Sequence, residues 1–286
     1  MELSGRVAVI TGAGSGFGRE FARQAASRGM KLVLADISQP GLDHTVHELR
    51  DSGSEVIGLR TDVSNVDAMQ ALADAAIARF GKVHLLFNNA GVASGGLVWE
   101  STHADWQWVM GVNLWSVIHG VRIFTPLMLS HGEPAHIVNT ASAAGLINAP
   151  NMGIYNVSKH AVVSLSETLY HDLQLVHAKI GVSVLCPAFV PTGIANSHRN
   201  RPAELANVTP PTASMLLAQQ ASVQAVASGR ISAAEIGEIT FAAIDANQFY
   251  IVPHEKILDI ARQRMTDIVS LANPSSTVPL RPDASA

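Results

Sequence analysis

The sequence predicts an α/β fold: a doubly wound parallel sheet of about seven strands with helices on both faces. Three observations predict it. Short apolar, β-branched runs alternate with amphipathic stretches as far as about residue 190. The first such run ends in a glycine-rich turn followed by apolar residues at helical spacing. The residues able to do chemistry follow the ends of these runs, and in open α/β sheets ligands bind outside the carboxyl ends of the strands.

The elements follow in order. Residues 6–11 form a buried strand that enters Thr11-Gly12-Ala13-Gly14-Ser15-Gly16-Phe17-Gly18. Phe21, Ala22, Ala25 and Ala26 then recur on one helical face. Strand, glycine turn and helix form the context of a dinucleotide fingerprint, spaced GxxxGxG from Gly12, Gly16 and Gly18. Gly12 permits the tight turn, Gly16 lets backbone approach a pyrophosphate, and Gly18 lets helix and strand pack closely. The free N–H groups of the helix N-terminus then face phosphate. A second strand, 31–36, ends in Asp36, placed to accept from ribose hydroxyls and to repel a 2′-phosphate. Residue 37 is Ile and residue 15 is Ser, neither basic, which argues for NAD over NADP. Arg19 is nearby, and a solvated helix position explains it equally well. A third strand, 55–60, leads to Asp62, which either meets an adenine amine or caps the helix over 64–80. Strands at 83–88, 135–141, 180–186 and 248–253 complete the sheet.

All four tryptophans, Trp99, Trp106, Trp108 and Trp115, crowd the start of a helix over about 103–129. Core packing accounts for part of this aromatic surface, and subunit association is a second reading. Residues 193–230 break the alternation. Pro202, Pro210 and Pro211 punctuate them, and a helix over Ala213–Ala227 follows. A long connection of this kind is expected to be a mobile lid over a substrate. Arg199 and Arg201 within it read as solvated loop arginines, with recognition of an anionic substrate as the alternative. The whole chain, 1–286, is expected to be one Rossmann-type domain with the lid at about 193–230 and a tail at about 255–286, irregular from 273 onward.

Tyr155 and Lys159 stand four apart, on one face of a helix, and Ser142 lies 13 positions before the tyrosine. A cation beside a phenol favours the phenolate and lowers its pKa. A phenol so tuned can exchange a proton with an alcohol or carbonyl oxygen. With Asn88-Asn89-Ala90-Gly91, Asn113 and Cys186-Pro187-Ala188 followed by Thr192, these motifs make the chain resemble the short-chain dehydrogenase/reductase family across about residues 5–254. The resemblance implies that Tyr155 is the acid/base and that Lys159 lowers its pKa and holds the nicotinamide ribose. It implies that Ser142 bonds the substrate oxygen, Asn113 supports a relay water and Thr192 holds the carboxamide. Phe17, Val63, Asn89, Ala90, Gly91, Pro187 and Val190 complete the cofactor contacts expected beside Ser15 and the glycines. Ala144, Met152, Ile154, Phe189, Val190 and Ile194 are the expected, largely apolar substrate wall. Ala188 stands where the family usually has Gly, which is tolerable if its φ is negative. Helices near 103–129 and 154–177 form dimer interfaces in the family, so a homodimer or homotetramer is expected.

Composition excludes other classes. The formal net charge is −4 and no basic stripe suggests nucleic acid. No apolar run of ~18 residues stands out as a membrane span, and the N-terminus lacks the basic-then-apolar pattern of a signal peptide. Cys186 is the lone cysteine, so no intrachain disulfide forms, and a cytoplasmic location is expected. His44 and His47 lie on a polar helix face with no acidic or Cys cluster beside them, and no metal is expected. The expected function is reversible hydride transfer between NAD(H) and a secondary alcohol or ketone, uncharged and fairly apolar. The alternatives are a catalytically idle NAD-binding sensor or scaffold, and a lyase or epimerase on the same fold.

Overall fold

The structure is a computed structural model, and it describes residues 2–276. Seven strands form one sheet: β1 Val7–Thr11, β2 Lys31–Asp36, β3 Val56–Arg60, β4 Leu85–Asn88, β5 Ala135–Thr140, β6 Ile180–Leu185 and β7 Tyr250–Ile251. Their spatial order is β3-β2-β1-β4-β5-β6-β7, and every pairing is parallel. The order reverses between β1 and β4, which opens a crevice at their carboxyl ends. The seven expected strands are all present. The last is shorter than its apolar run of 248–253, since it pairs with β6 only at Tyr250 and Ile251.

Alternation along each strand divides the core into two layers. In β1, Ala8 and Ile10 face one cluster while Val7 and Val9 face the other. The first layer is closed by α1 Gly16–Ser27, α2 Gln39–Asp51 and, later in the chain, the helix Ala233–Asp245. Phe21 stacks on Phe87 at 4.6 Å between ring centroids, and Phe87 meets Phe241 at 5.6 Å. Truncating a fully buried Phe of this kind to Ala costs about 3–5 kcal/mol. The second layer is closed by α3 Val66–Phe80 and by two longer helical segments further on. Asn65 caps α3 by accepting from the Ala68 N–H. Asp62 therefore is not the cap. Its Oδ1 accepts from the N–H and the hydroxyl of Ser64, which fixes the turn before α3.

The expected helix over 103–129 is longer and interrupted. It comprises α4 His103–Met110, one π-helical turn Gly111–Trp115 and α5 Ser116–His131. By length and composition His103–His131 is apolar enough to cross a membrane, which corrects the reading that no such run exists. Val117, Phe124 and Met128 sit in the core clusters, so this is the packing of a core helix. Of the tryptophans, Trp108 is buried, whereas Trp99 and Trp115 are exposed. The helix bearing Tyr155 is α6 Gly153–Leu175.

After β6 come two short 3₁₀ turns, Gly193–Asn200 and Ala203–Leu205, then α7 Ala213–Ala227 and α8 Ala233–Asp245. The expected tail begins with a helix, ahead of the stretch expected to be irregular from 273. His254 is followed by α9 Glu255–Val269, whose apolar residues recur at helical spacing. The expected irregular stretch begins at 273, and its residues 277–286 lie outside the described residues.

Candidate active site

The crevice between β1 and β4 opens into a cavity of about 650 Å³. Its floor is the glycine turn. Gly12 and Gly16 have φ of +68° and +51°, which L side chains resist. A Cβ on Gly12 would lie 2.9 Å from the Cα of Ala90, and one on Gly18 would lie 2.1 Å from the Gly12 carbonyl oxygen. The turn is thus packed against β4 on one side and α1 on the other. The Thr11 hydroxyl donates to Phe87 O and accepts from the N–H groups of Asn89 and Ala90. Asn89 returns a bond from Nδ2 to Thr11 O and accepts from the Thr140 hydroxyl through Oδ1. Three strand ends are held together in this way. Arg19 is not a solvated residue, because its guanidinium donates to Gly14 O and Thr45 Oγ1 and braces the turn.

Asp36 ends β2 at the edge of the cavity. Its two oxygens accept from the N–H groups of Gly14 and Ser38, both at 2.8 Å. The carboxylate is therefore oriented, and each oxygen keeps a lone pair for another donor. A Cβ on Gly14 would reach within 2.9 Å of Asp36 Oδ2, so this spot too needs glycine. Gly cradle, free helix N-terminus and oriented acid fit an adenosine pyrophosphate.

At the opposite end lie Tyr155 and Lys159, on adjacent turns of α6, with Ser142 beyond β5. Lys159 Nζ donates to Thr140 O at 2.9 Å and lies 5.7 Å from the centroid of the Tyr155 ring. Ser142 Oγ accepts from Ala144 N–H and donates to Pro187 O. Burial raises the Tyr155 pKa above its ordinary value, and the hydrogen bond with Ser142 opposes that rise. Burial also depresses Lys159, to about 8. The expected lowering of Tyr155 by Lys159 is thus not what the protein alone gives. The ammonium is held by a backbone carbonyl, and desolvation dominates at the phenol. Asn113 is fully buried in the π turn. Its Oδ1 accepts from Val92 N–H, and its Nδ2 donates to Val92 O and Ser158 Oγ. Single π turns inside helices frequently mark functional sites.

The cavity brings together all the expected site residues except three, Gly18, Asn113 and Ile154. Ser15, Phe17, Val63, Gly91, Pro187, Val190, Thr192, Ala144, Met152, Phe189 and Ile194 line it with those above. Gly18 and Asn113 stand behind the lining and hold it in place. Ile154, expected on the wall, packs instead with Val92, Trp108 and Val109. Arg201 is no solvated arginine either. Its guanidinium donates to Asp105 Oδ1 at 2.6 Å and lies over the Trp108 ring. Ala188 is absent from the positive-φ residues, so its replacement of glycine is unstrained. Among the described residues no His, Cys, Asp and Glu group could hold a metal. Sequence reasoning missed Trp108, Leu205, Val226, Ile257 and Ile260 as lining residues. The three-residue spacing of Ile257 and Ile260 was the available signal, in a stretch read as tail.

The matches to known proteins agree with this geometry. Residues 6–203 match the short chain dehydrogenase family model. A dehydrogenase/reductase of CLA biosynthesis from Lactiplantibacillus plantarum is 35% identical over 96% of each chain. A short chain dehydrogenase/reductase from Burkholderia phymatum, solved in complex with NAD, is 58% identical. It covers 98% of this chain and 100% of its own, with a TM-score of 0.97. An actinorhodin polyketide ketoreductase solved with NADPH is 28% identical over 87% of this chain and 95% of its own, with a TM-score of 0.72. The chain belongs to the short-chain dehydrogenase/reductase family. It is an oxidoreductase that acts on CH–OH or keto groups of small molecules with a nicotinamide dinucleotide.

Proposed function

We propose that this enzyme prefers NAD and interconverts an uncharged, largely apolar secondary alcohol with its ketone. The observation that carries the cofactor preference is Asp36, whose carboxylate is aimed by Gly14 and Ser38. Ile37 and Ser15, both lining the cavity, offer no base to offset a 2′-phosphate beside it. Gly12, Gly16 and the start of α1 would hold the pyrophosphate, and Thr192 and Lys159 the nicotinamide half. When bound, the dinucleotide supplies the hydride acceptor or donor.

The chain's own residues handle the proton. In oxidation the Tyr155 phenolate oxygen takes the proton of the substrate hydroxyl, and in reduction the phenol returns it. Ser142 Oγ donates to the substrate oxygen as charge develops on it. Lys159, charged below about pH 8, stabilises the phenolate across the gap to the ring. Asn113 positions this machinery by fixing Val92 and Ser158 on either side of it. Trp108, Leu205, Val226, Ile257 and Ile260 make an apolar chamber, which favours a bulky uncharged substrate. Residues 193–230 act as its cover.

Trp115, at the end of the π turn before α5, and Val157 on α6 are half-exposed and form the face through which the chain associates as a homodimer or homotetramer. A cytoplasmic site of action suits the single buried thiol, Cys186. The test is kcat/KM for NAD and NADP with a panel of secondary alcohols, followed at the absorbance of the reduced cofactor. NAD is expected to be favoured, and Asp36→Ala with Ile37→Arg is expected to shift the preference toward NADP. Equal or better use of NADP by the wild type would reject the reading.

A further inference from the structure

Arg199 is placed unlike the arginine two residues after it. Arg201 is spent on Asp105, whereas Arg199 has no carboxylate within ion-pair distance among the described residues. Its Nη1 donates only to the carbonyl oxygens of Gly193, at 3.3 Å, and Asn196, at 3.1 Å. Those two bonds fold the side chain back along its own 3₁₀ turn and leave other guanidinium N–H groups free to donate. The residue lines the cavity, where Lys159 is the other cation among the described lining residues. Lys159 is buried at the Tyr155 end and bonded to Thr140 O. Arg199 stands elsewhere. A Cβ on Gly193 would lie 3.3 Å from its Nη2. Gly193 follows Thr192, and a Cβ on Gly16 would lie 3.4 Å from Thr192 Cβ. Gly16, Thr192, Gly193 and Arg199 are therefore successive neighbours, and Gly16 is the first residue of α1. The N–H end of α1 has no acidic residue in its first turn, so its partial positive charge is uncompensated.

We infer that Arg199 is a cofactor-binding residue: its guanidinium pairs with the pyrophosphate seated on α1 and so fastens the 193–230 segment over the bound dinucleotide. The inference rests on the dinucleotide reading above. An arginine fork suits two phosphate oxygens, and a contact carried by the cover itself links cofactor binding to closure. The adenosine half is faced by the carboxylates Asp36 and Asp62, so the cation must serve the phosphates rather than the base or ribose. A carboxylate on a substrate would present the same chemistry to Arg199, and the test separates the two sources.

Dissociation constants for NAD, ADP-ribose and adenosine are measured by titration calorimetry for the wild type, Arg199→Gln and Arg199→Lys, at low and high salt. Melting temperatures verify that each variant is folded. Arg199→Gln is expected to weaken NAD and ADP-ribose roughly tenfold while leaving adenosine unchanged, with partial recovery in Arg199→Lys. Salt is expected to narrow the gap between wild type and variant. Hydrogen exchange across 193–230 is expected to slow on addition of ADP-ribose in the wild type and much less so in Arg199→Gln. Equal NAD affinity in wild type and Arg199→Gln would overturn the assignment and leave the dinucleotide reading standing. A wild type that binds neither NAD nor ADP-ribose would overturn that underlying reading instead. Unchanged NAD affinity with a raised KM for a keto acid, but not for its methyl ester, would move the anion to the substrate and overturn the assignment as well.

Discussion

Asp105 and Arg201 form an ion pair at 2.6 Å with 16% of the arginine side chain and 7% of the carboxylate exposed. The pair joins α4 to the 193–230 segment. Burial works against the Asp105 carboxylate, but hydrogen bonds from Thr102, Arg201 and Asn207 outweigh it and hold its pKa below the ordinary value. A second tie lies nearby: Glu100 accepts from the hydroxyls of Thr212 and Ser214 at the start of α7. Ties at these two points suit the latched cover proposed above. Asp105→Ala leaves the partly buried Arg201 guanidinium with only Leu205 O and Asn207 Oδ1 as acceptors, and breaking a buried pair costs up to about 3–5 kcal/mol. The expected outcome is faster hydrogen exchange across 193–230 and a raised KM, with kcat changed less. Exchange in this segment that matches the wild type would show that the pair does not hold the cover.

The phenol of Tyr155 is the proton carrier in the mechanism proposed above, and its ring is packed at the cavity wall. Tyr155→Phe removes the hydroxyl and keeps the ring. Turnover is expected to fall by about 10²–10⁴-fold, the usual share of a general acid–base group, with dinucleotide affinity nearly unchanged. Steady-state rates and cofactor titration on the same preparation check it. Near-wild-type turnover would remove Tyr155 from the mechanism.

Acid stability gives an independent test of the core. His136 lies in the middle of the sheet with its Nε2 hydrogen-bonded to Ser183 Oγ at 2.8 Å, and burial depresses its pKa from 6.5 to about 4. Its folded pKa is the lower one, so the unfolded chain binds a proton that the folded chain refuses. The stabilisation is full above pH 6.5 and is lost as pH falls from 6.5 toward 4. At 1.36 kcal/mol per unit this one group accounts for roughly 3 kcal/mol. His84, also depressed mainly by burial, acts in the same direction. Urea unfolding at pH 7 and pH 4.5 should show the loss, and His136→Gln should reduce it. An unaltered pH dependence in the variant would assign the loss to other groups.

The sheet and the cofactor half of the site were legible because both are written in local patterns. A β-branched run of five residues, a glycine turn and an acid at a strand end mean the same thing wherever they occur. Gly12, Asp36 and Asn89 could therefore be placed from order alone. The substrate half was less legible, because long-range pairs make it. Nothing local tells that Arg201 will find Asp105 nearly a hundred positions earlier, or that Ile154 will turn from the cavity into a cluster with Trp108. The rise of the Tyr155 pKa was hidden for a related reason: it comes from burial of the phenol, which tertiary packing sets. Spacing places Lys159 beside the phenol, but the carbonyl of Thr140 on another element decides where the ammonium sits.

The C-terminal helix carries the remaining expectation. Ile257 and Ile260 of α9 line the cavity, although the family model ends at residue 203. The rest of α9 buries little: Asp267, tied to Ser275, is its one buried residue, while Leu258, Met265, Ile268 and Val269 are exposed. The start of α9 therefore borders the cavity, and on the reading proposed above it shapes the substrate chamber. It hangs from the last strand, and His254 accepts from the Ala188 N–H just after Pro187. Ile260→Trp would fill part of the chamber. Its KM is expected to rise several-fold for bulky alcohols and little for small ones, with NAD affinity unchanged. Ile260→Ala is expected to relax the size preference in the opposite direction. KM measured along a series of secondary alcohols of increasing size decides the matter. A uniform shift across the series, or none, would show that α9 borders the chamber without selecting what enters it.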